Sequence, residues 1–93
     1  MKYNIIVEPE ALQDLYNIKK YITKQDSLNK ASTFISELKS KIRTLDEMPS
    51  RCKKSHYTKI ENTHDLIHKG YTIVYKINNN SVHILTIFRQ RSY

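Results

Sequence analysis

An α+β fold, with helices packed on one face of an antiparallel sheet, is predicted by the 93-residue sequence from its ending, its middle and its start. From His64 to Tyr93, runs rich in Ile, Val and Tyr are punctuated by Lys69-Gly70 and by Asn78-Asn79-Asn80-Ser81, the signature of three consecutive antiparallel strands. Two earlier segments carry apolar residues at helical spacing on a single stripe each. A short β-branched run opens the chain.

That run, Tyr3 to Val7, reads as a strand that must stop at Glu8-Pro9. Pro9 suits the first position of a helix, where its missing N–H costs nothing, and Glu10 favours the positive end of the helix dipole. The first helix is expected to run to about Lys24, burying Ala11, Leu15, Ile18 and Ile22 and turning Gln13, Asn17 and Lys20 outward. Gln25-Asp26-Ser27 breaks the pattern. Asp26 or Ser27 can then cap a second helix, whose stripe of Leu28, Ala31, Ile35, Leu38, Ile42 and Leu45 continues to about Met48. So short a connection predicts an antiparallel hairpin, and the meander is the only surface that can cover both stripes. After Pro49, Ser50–Asn62 is polar and basic without sustained period, hence a loop, in which Arg51, Lys53, Lys54 and Lys59 are candidate phosphate contacts or a solvated surface.

The chain suffices for one modest core, so residues 1–93 are expected to form a single domain. Sixteen Lys and Arg against 9 Asp and Glu give a formal charge of +7 and point to an anionic partner: nucleic acid, an acidic protein segment or, least of all, a membrane surface. No apolar run approaches the ~20 residues of a spanning helix and the opening has no signal-peptide pattern, which predicts a cytoplasmic location. Cys52 stands alone, so no internal disulfide framework exists, and a packed or surface thiol is its expected role.

Strict alternation sorts the meander into two faces. His64, Leu66, His68, Tyr71, Ile73, Tyr75, Ile77, Val82, Ile84, Thr86 and Phe88 form the larger apolar set, assigned to the helices. Thr63, Asp65, Ile67, Thr72, Val74, Lys76, His83, Leu85, Ile87 and Arg89 form the other. There, Ile67, Val74, Leu85 and Ile87 make an apolar patch rimmed by Thr72, Lys76, His83 and Arg89, a surface suited to another polypeptide unless the 50–62 loop or a second copy covers it. Asp65 argues against a nucleic-acid groove on this face.

Acid–base cleavage of a phosphodiester needs a proton donor, a base and a cation within mutual reach. His83, Arg89, Arg91 and Tyr93 are the right types, expected near one strand end. No metal site or cofactor is expected: the histidines form no ligand pattern, His64 and His68 standing ~13 Å apart on a strand, and neither a P-loop nor a glycine-rich nucleotide motif is present.

The order of Glu8-Pro9-Glu10-Ala11 with Asp14-Leu15 and Tyr21-Ile22, then Glu47-Met48-Pro49, then Lys69-Gly70-Tyr71-Thr72-Ile73-Val74-Tyr75-Lys76-Ile77 and Val82-His83-Ile84-Leu85 leading to Arg89-Gln90-Arg91 resembles the RelE/ParE superfamily of type II toxin–antitoxin toxins over nearly the whole chain. The long hairpin and the Glu-Met-Pro ending look more like the ParE branch, whose members poison DNA gyrase, than the RelE branch, which cleaves messenger RNA in the ribosomal A site. The arginine that the nuclease branch would place at Thr72 is missing, and its lysines fall on Thr63 and Asp65. The resemblance therefore implies a gyrase inhibitor acting by binding, with Lys76, Arg89 and Arg91 toward the target and Ile67, Thr72, Val74, Leu85 and Ile87 toward a cognate acidic antitoxin, in a hetero-oligomer. The alternatives are a ribosome-dependent endoribonuclease using His83, Arg89, Arg91 and Tyr93, and a non-toxic module that only binds antitoxin.

Overall fold

The computed structural model describes residues 2–89. Strand β1 (Asn4–Val7) leads into helix α1 (Pro9–Gln25) and helix α2 (Leu28–Arg43), followed by strands β2 (Thr63–His68), β3 (Tyr71–Asn78) and β4 (Ser81–Arg89). The sheet order is β1-β4-β3-β2, with the meander antiparallel and β1 parallel to β4. The α+β class, the hairpin and the three-stranded meander are thus as the patterning predicts.

Local chemistry explains the element boundaries. Pro9 starts α1, and Ser27 caps α2 by accepting from the Lys30 amide at 3.1 Å. The second helix stops short of the expected Met48. It tightens into a 3-10 turn at Thr44–Asp46, where the Arg51 guanidinium donates to the Thr44 and Glu47 carbonyls at 3.0 and 3.2 Å. Met48 then takes a left-handed conformation at φ 50°, and Pro49 opens a second 3-10 turn through Arg51. The first hairpin turn is Lys69-Gly70, both residues at positive φ. The second is tighter than expected: Asn78 pairs with Ser81, leaving only Asn79-Asn80 in the loop, while Ile77 still faces Val82.

Ala11, Leu15 and Ile18 of α1 and Ala31, Ile35, Leu38 and Ile42 of α2 pack with Leu45 onto Tyr71, Ile73, Tyr75, Val82, Ile84 and Ile87. Ile87 is the surprise in that set. A β-bulge separates the pair Val74–Thr86 from the pair Tyr75–Ile84, so Leu85 is an extra residue with no cross-strand partner. One inserted residue reverses side-chain parity beyond it. Ile87, expected on the outer face, is therefore buried in the core at 2 % exposure, while Phe88, expected in the core, turns to the far side and meets Tyr57.

The far face is also not open in its middle. Lys54 bridges to His64, the Lys53 carbonyl accepts from the Asp65 amide, and the Asp65 carboxylate accepts from the His56 amide at 3.0 Å. From there the loop passes beneath β3 until the Tyr57 ring meets Phe88 of β4 at 4.8 Å, edge to face. Thr72 (0 %) and Val74 (3 %) are buried beneath it. The loop reading of 50–62 holds, and the covered-face alternative with it. Asp65 is spent on anchoring the loop rather than on repelling a phosphate backbone.

Tyr75 ties this loop to the core from the other side. It is fully buried, its ring stacks on His64, and its hydroxyl donates to the Pro49 carbonyl. Burial, reinforced by the neighbouring Cys52, holds its phenol far above the ordinary tyrosine range. An unfolded chain releases this proton near pH ~10 whereas the native one keeps it, so the native state binds more protons there and stability falls as pH rises past ~10. Tyr75→Phe is expected to cost about 1–3 kcal/mol at neutral pH, the cost of stranding a buried carbonyl, and to flatten the alkaline decline. Urea unfolding of both proteins between about pH 7 and pH 11 measures the two effects together.

Candidate functional site: a cleft at the free edge of the last strand

Strand β1 covers only the first half of the outer edge of β4. Its pairing ends at Val7–Ile84, where the Glu8 amide donates to the Ile84 carbonyl at 3.0 Å. Past the bulge, the outer edge of β4 has no strand beside it among the described residues, and its backbone there must find another partner. Asp14 of α1 provides one. Its carboxylate accepts from the Ile87 amide at 2.9 Å and from the Thr86 hydroxyl at 2.8 Å.

Between α1, this edge and the tip of the loop lies a cleft of about 680 Å³. Tyr21, Tyr57, Tyr71 and Phe88 give it aromatic walls, Asn17 and Asp14 an amide and a carboxylate, and Arg89 a cation. Arg89 lies across from Tyr71 in the ladder. Burial raises the Tyr71 phenol above its usual range and Arg89 offsets part of that rise, so the ring presents a hydroxyl donor beside a guanidinium. Tyr21 is 48 % and Tyr57 52 % exposed, so each side chain is partly open to solvent at the cleft.

The structure divides the residues expected to act together. His83 is not near the strand end that carries Arg89: the two stand six positions apart on the strand, ~20 Å. Instead His83 lies opposite Lys76, and its Nδ1–H donates to Glu8 Oε1 at 2.7 Å. Lys76 and Arg89 likewise sit at opposite ends of the meander. Arg91 and Tyr93 lie outside the described residues. His64 donates to the Cys52 carbonyl at 2.9 Å and His68 pairs with Glu37 at 3.0 Å, so both hold loop and helix to the sheet. Of the expected docking patch, Ile67 is exposed and Leu85 half-buried, whereas Thr72, Val74 and Ile87 are inside the protein. Alternation without the bulge is what misplaced Ile87, and the unread loop is what hid Thr72 and Val74.

The sequence profile of the ParE toxin of the type II toxin–antitoxin system parDE matches residues 5–92. The chain belongs to the ParE toxin family. Its fold is shared with a chain of the chromosomal ParDE toxin–antitoxin system of Pseudomonas aeruginosa, with a TM-score of 0.83 at 13% identity over 97% of this chain and 98% of that one. It is also similar to a chain of the RelBE2 toxin–antitoxin complex of Mycobacterium tuberculosis, with TM-score 0.71, 17% identity and coverage of 99% and 95%. A third likeness is to the YoeB dimer of Staphylococcus aureus, with TM-score 0.60 and 15% identity over 100% of both chains. No curated protein sequence matches it.

Asp14, Asn17, Tyr21, Tyr57, Tyr71 and Phe88 are polar or aromatic cleft residues that reasoning from sequence did not assign to a site. A carboxylate beside the buried stripe of α1, next to Leu15 and one turn before Ile18, was the available signal for Asp14 in this ParE toxin. Asp14→Ala is expected to destabilise the toxin by about 1–3 kcal/mol and to speed amide exchange at Ile87 ahead of global unfolding, whereas Asp14→Asn, which keeps a carbonyl acceptor, costs less. Native-state hydrogen exchange distinguishes this local release from a general loss of stability.

Proposed function

We propose that this ParE toxin is held by a cognate acidic antitoxin and, when free, inhibits DNA gyrase by binding it. The observation that carries the reading is the cleft beside Arg89. An aromatic-walled, open strand edge with a guanidinium, on a chain of formal charge +7, suits an acidic polypeptide segment with apolar side chains. Family membership supports a toxin of this kind, and neighbours solved as the ParDE system, the RelBE2 complex and the YoeB–YefM complex support the antitoxin part of the reading.

The antitoxin, in this proposal, fills the cleft against Tyr21, Tyr57 and Phe88 and extends to Leu85 and Ile67. It neutralises by covering Arg89; Arg89, Arg91 and Lys76 are the residues assigned to target binding, Lys76 from the other end of the sheet. Residues 1–93 act as one domain in the cytoplasm. Binding rather than cleavage is favoured because His83 is held by Glu8 some ~20 Å from Arg89, too far for both to serve one phosphodiester.

Expression without antitoxin is expected to arrest growth with DNA damage, and purified toxin to inhibit gyrase supercoiling. Arg89→Glu is expected to weaken that inhibition at least about tenfold, the scale of one lost charged contact in an interface. Tyr21→Ala, at an exposed position, is expected to loosen antitoxin binding by about tenfold or more without unfolding the toxin. Arrest accompanied by cut ribosome-bound transcripts, with supercoiling intact, would replace gyrase by the ribosome and messenger RNA. Harmless expression would leave a module that only binds antitoxin.

A further inference from the structure

We infer that the outer face of α1 is a contact surface for the phosphate backbone of double-stranded DNA. A shallow depression of about 500 Å³ there is lined by Tyr16, Lys19, Lys20, Thr23 and Lys24. Each of these side chains is of a type that bonds phosphate oxygens, and no carboxylate lines the depression. Their spacing of three and four places them on one face of the helix, turned roughly 140° from the side that lines the cleft, at ~100° per residue. Among the described residues none of these lysines is ion-paired, whereas Lys30 nearby is neutralised by Asp26 at 3.1 Å. Lys24 in the last turn answers the helix dipole, but Lys19 and Lys20 stand before that turn and gain little from it. Tyr16 is 60 % exposed and has the Lys20 ammonium 6.0 Å from its ring centre.

The shape selects a duplex. A shallow helix face bearing ammoniums and hydroxyls meets a regular backbone without reading bases, while single strands are held by successive stacking rings, and this face has one ring, already attended by Lys20. The choice of DNA over RNA rests on the proposed gyrase target, an enzyme whose substrate is duplex DNA. The surface would let the toxin hold the DNA beside its protein target while the cleft and Arg89 do a separate task.

The test is fluorescence anisotropy with a short labelled DNA duplex across a salt series, using the full chain. Lys19→Gln/Lys20→Gln/Lys24→Gln is compared with Lys39→Gln/Lys41→Gln/Arg43→Gln, which removes the same charge from exposed positions of α2, and melting curves confirm that both fold. The α1 variant is expected to lose at least about tenfold in affinity at low salt and to lower the log–log salt slope by about 2.7, the counterions of the phosphate contacts removed. The α2 variant is expected to change affinity less than about threefold near ~0.15 M salt, where a charge farther than a Debye length of ~8 Å from the duplex is largely screened. Equal weakening by both variants would reduce the effect to net charge and overturn the inference, as would no measurable binding. Stronger competition by polyglutamate, by single-stranded RNA or by anionic vesicles than by unlabelled duplex would reassign the surface to that partner and overturn it too. Supercoiling inhibition by the unaltered toxin is scored separately: inhibition without duplex binding sinks this inference alone, and duplex binding without inhibition sinks the gyrase reading alone.

Discussion

Strand β4 has 9 residues and β1 has 4, so β1 can satisfy the outer edge of β4 only as far as Ile84. Glu8-Pro9 enforces that limit, because proline cannot donate to a ladder and its ring starts a helix instead. The remaining edge would be an open template for another chain. Here the chain answers with a bulge at Leu85 and with the Asp14 carboxylate, which closes the Ile87 amide from the helix rather than from a strand. The cleft is what remains between that helix and the unpaired edge. Its aromatic walls exist because the bulge turns Phe88 toward Tyr57 and Ile87 into the core.

A one-layer sheet of this size leaves its second face to be covered by whatever chain is left over. The 50–62 loop has few apolar residues for that task, so it is fastened by polar contacts at the β2 edge and by one aromatic pair at β4. Its start is fixed from the core side through the Tyr75 hydroxyl and the Pro49 carbonyl. Because that carbonyl is buried, the hydrogen bond matters more by its loss than by its presence. The Glu37 carboxylate makes a comparable tie at the other end of the molecule, accepting from Lys69 and His68, which together hold it below the usual carboxylate range.

The positive charge of the chain is distributed, and its parts are not equivalent. Lys76 is paired across the ladder with His83, which is itself oriented by Glu8. Arg89 stands at the far end, against Tyr71 and the mouth of the cleft. The lysines of α1 face away from both. The Lys76 end of the sheet, the Arg89 cleft and the α1 lysines therefore face different sides, the first two set apart by strand length and the third by the turn of the helix.

The sequence by itself determined the elements, their order, the first hairpin turn and most of the core, since helical and strand periodicities, Pro9, Ser27 and Lys69-Gly70 are local signals that tertiary packing had no reason to overrule. It also carried the family, through motifs spread over nearly its whole length. Only the tertiary structure decided the second face and the site. A bulge is a mismatch between two strands and has no signature in either alone, so Leu85 could not be recognised as the residue that sends Ile87 inward. The loop has no period, and its course depended on distant acceptors, Asp65 among them. Asp14 reads as one more helix-surface carboxylate until the strand that lacks a neighbour is placed beside it, and the cleft is the consequence of that placement.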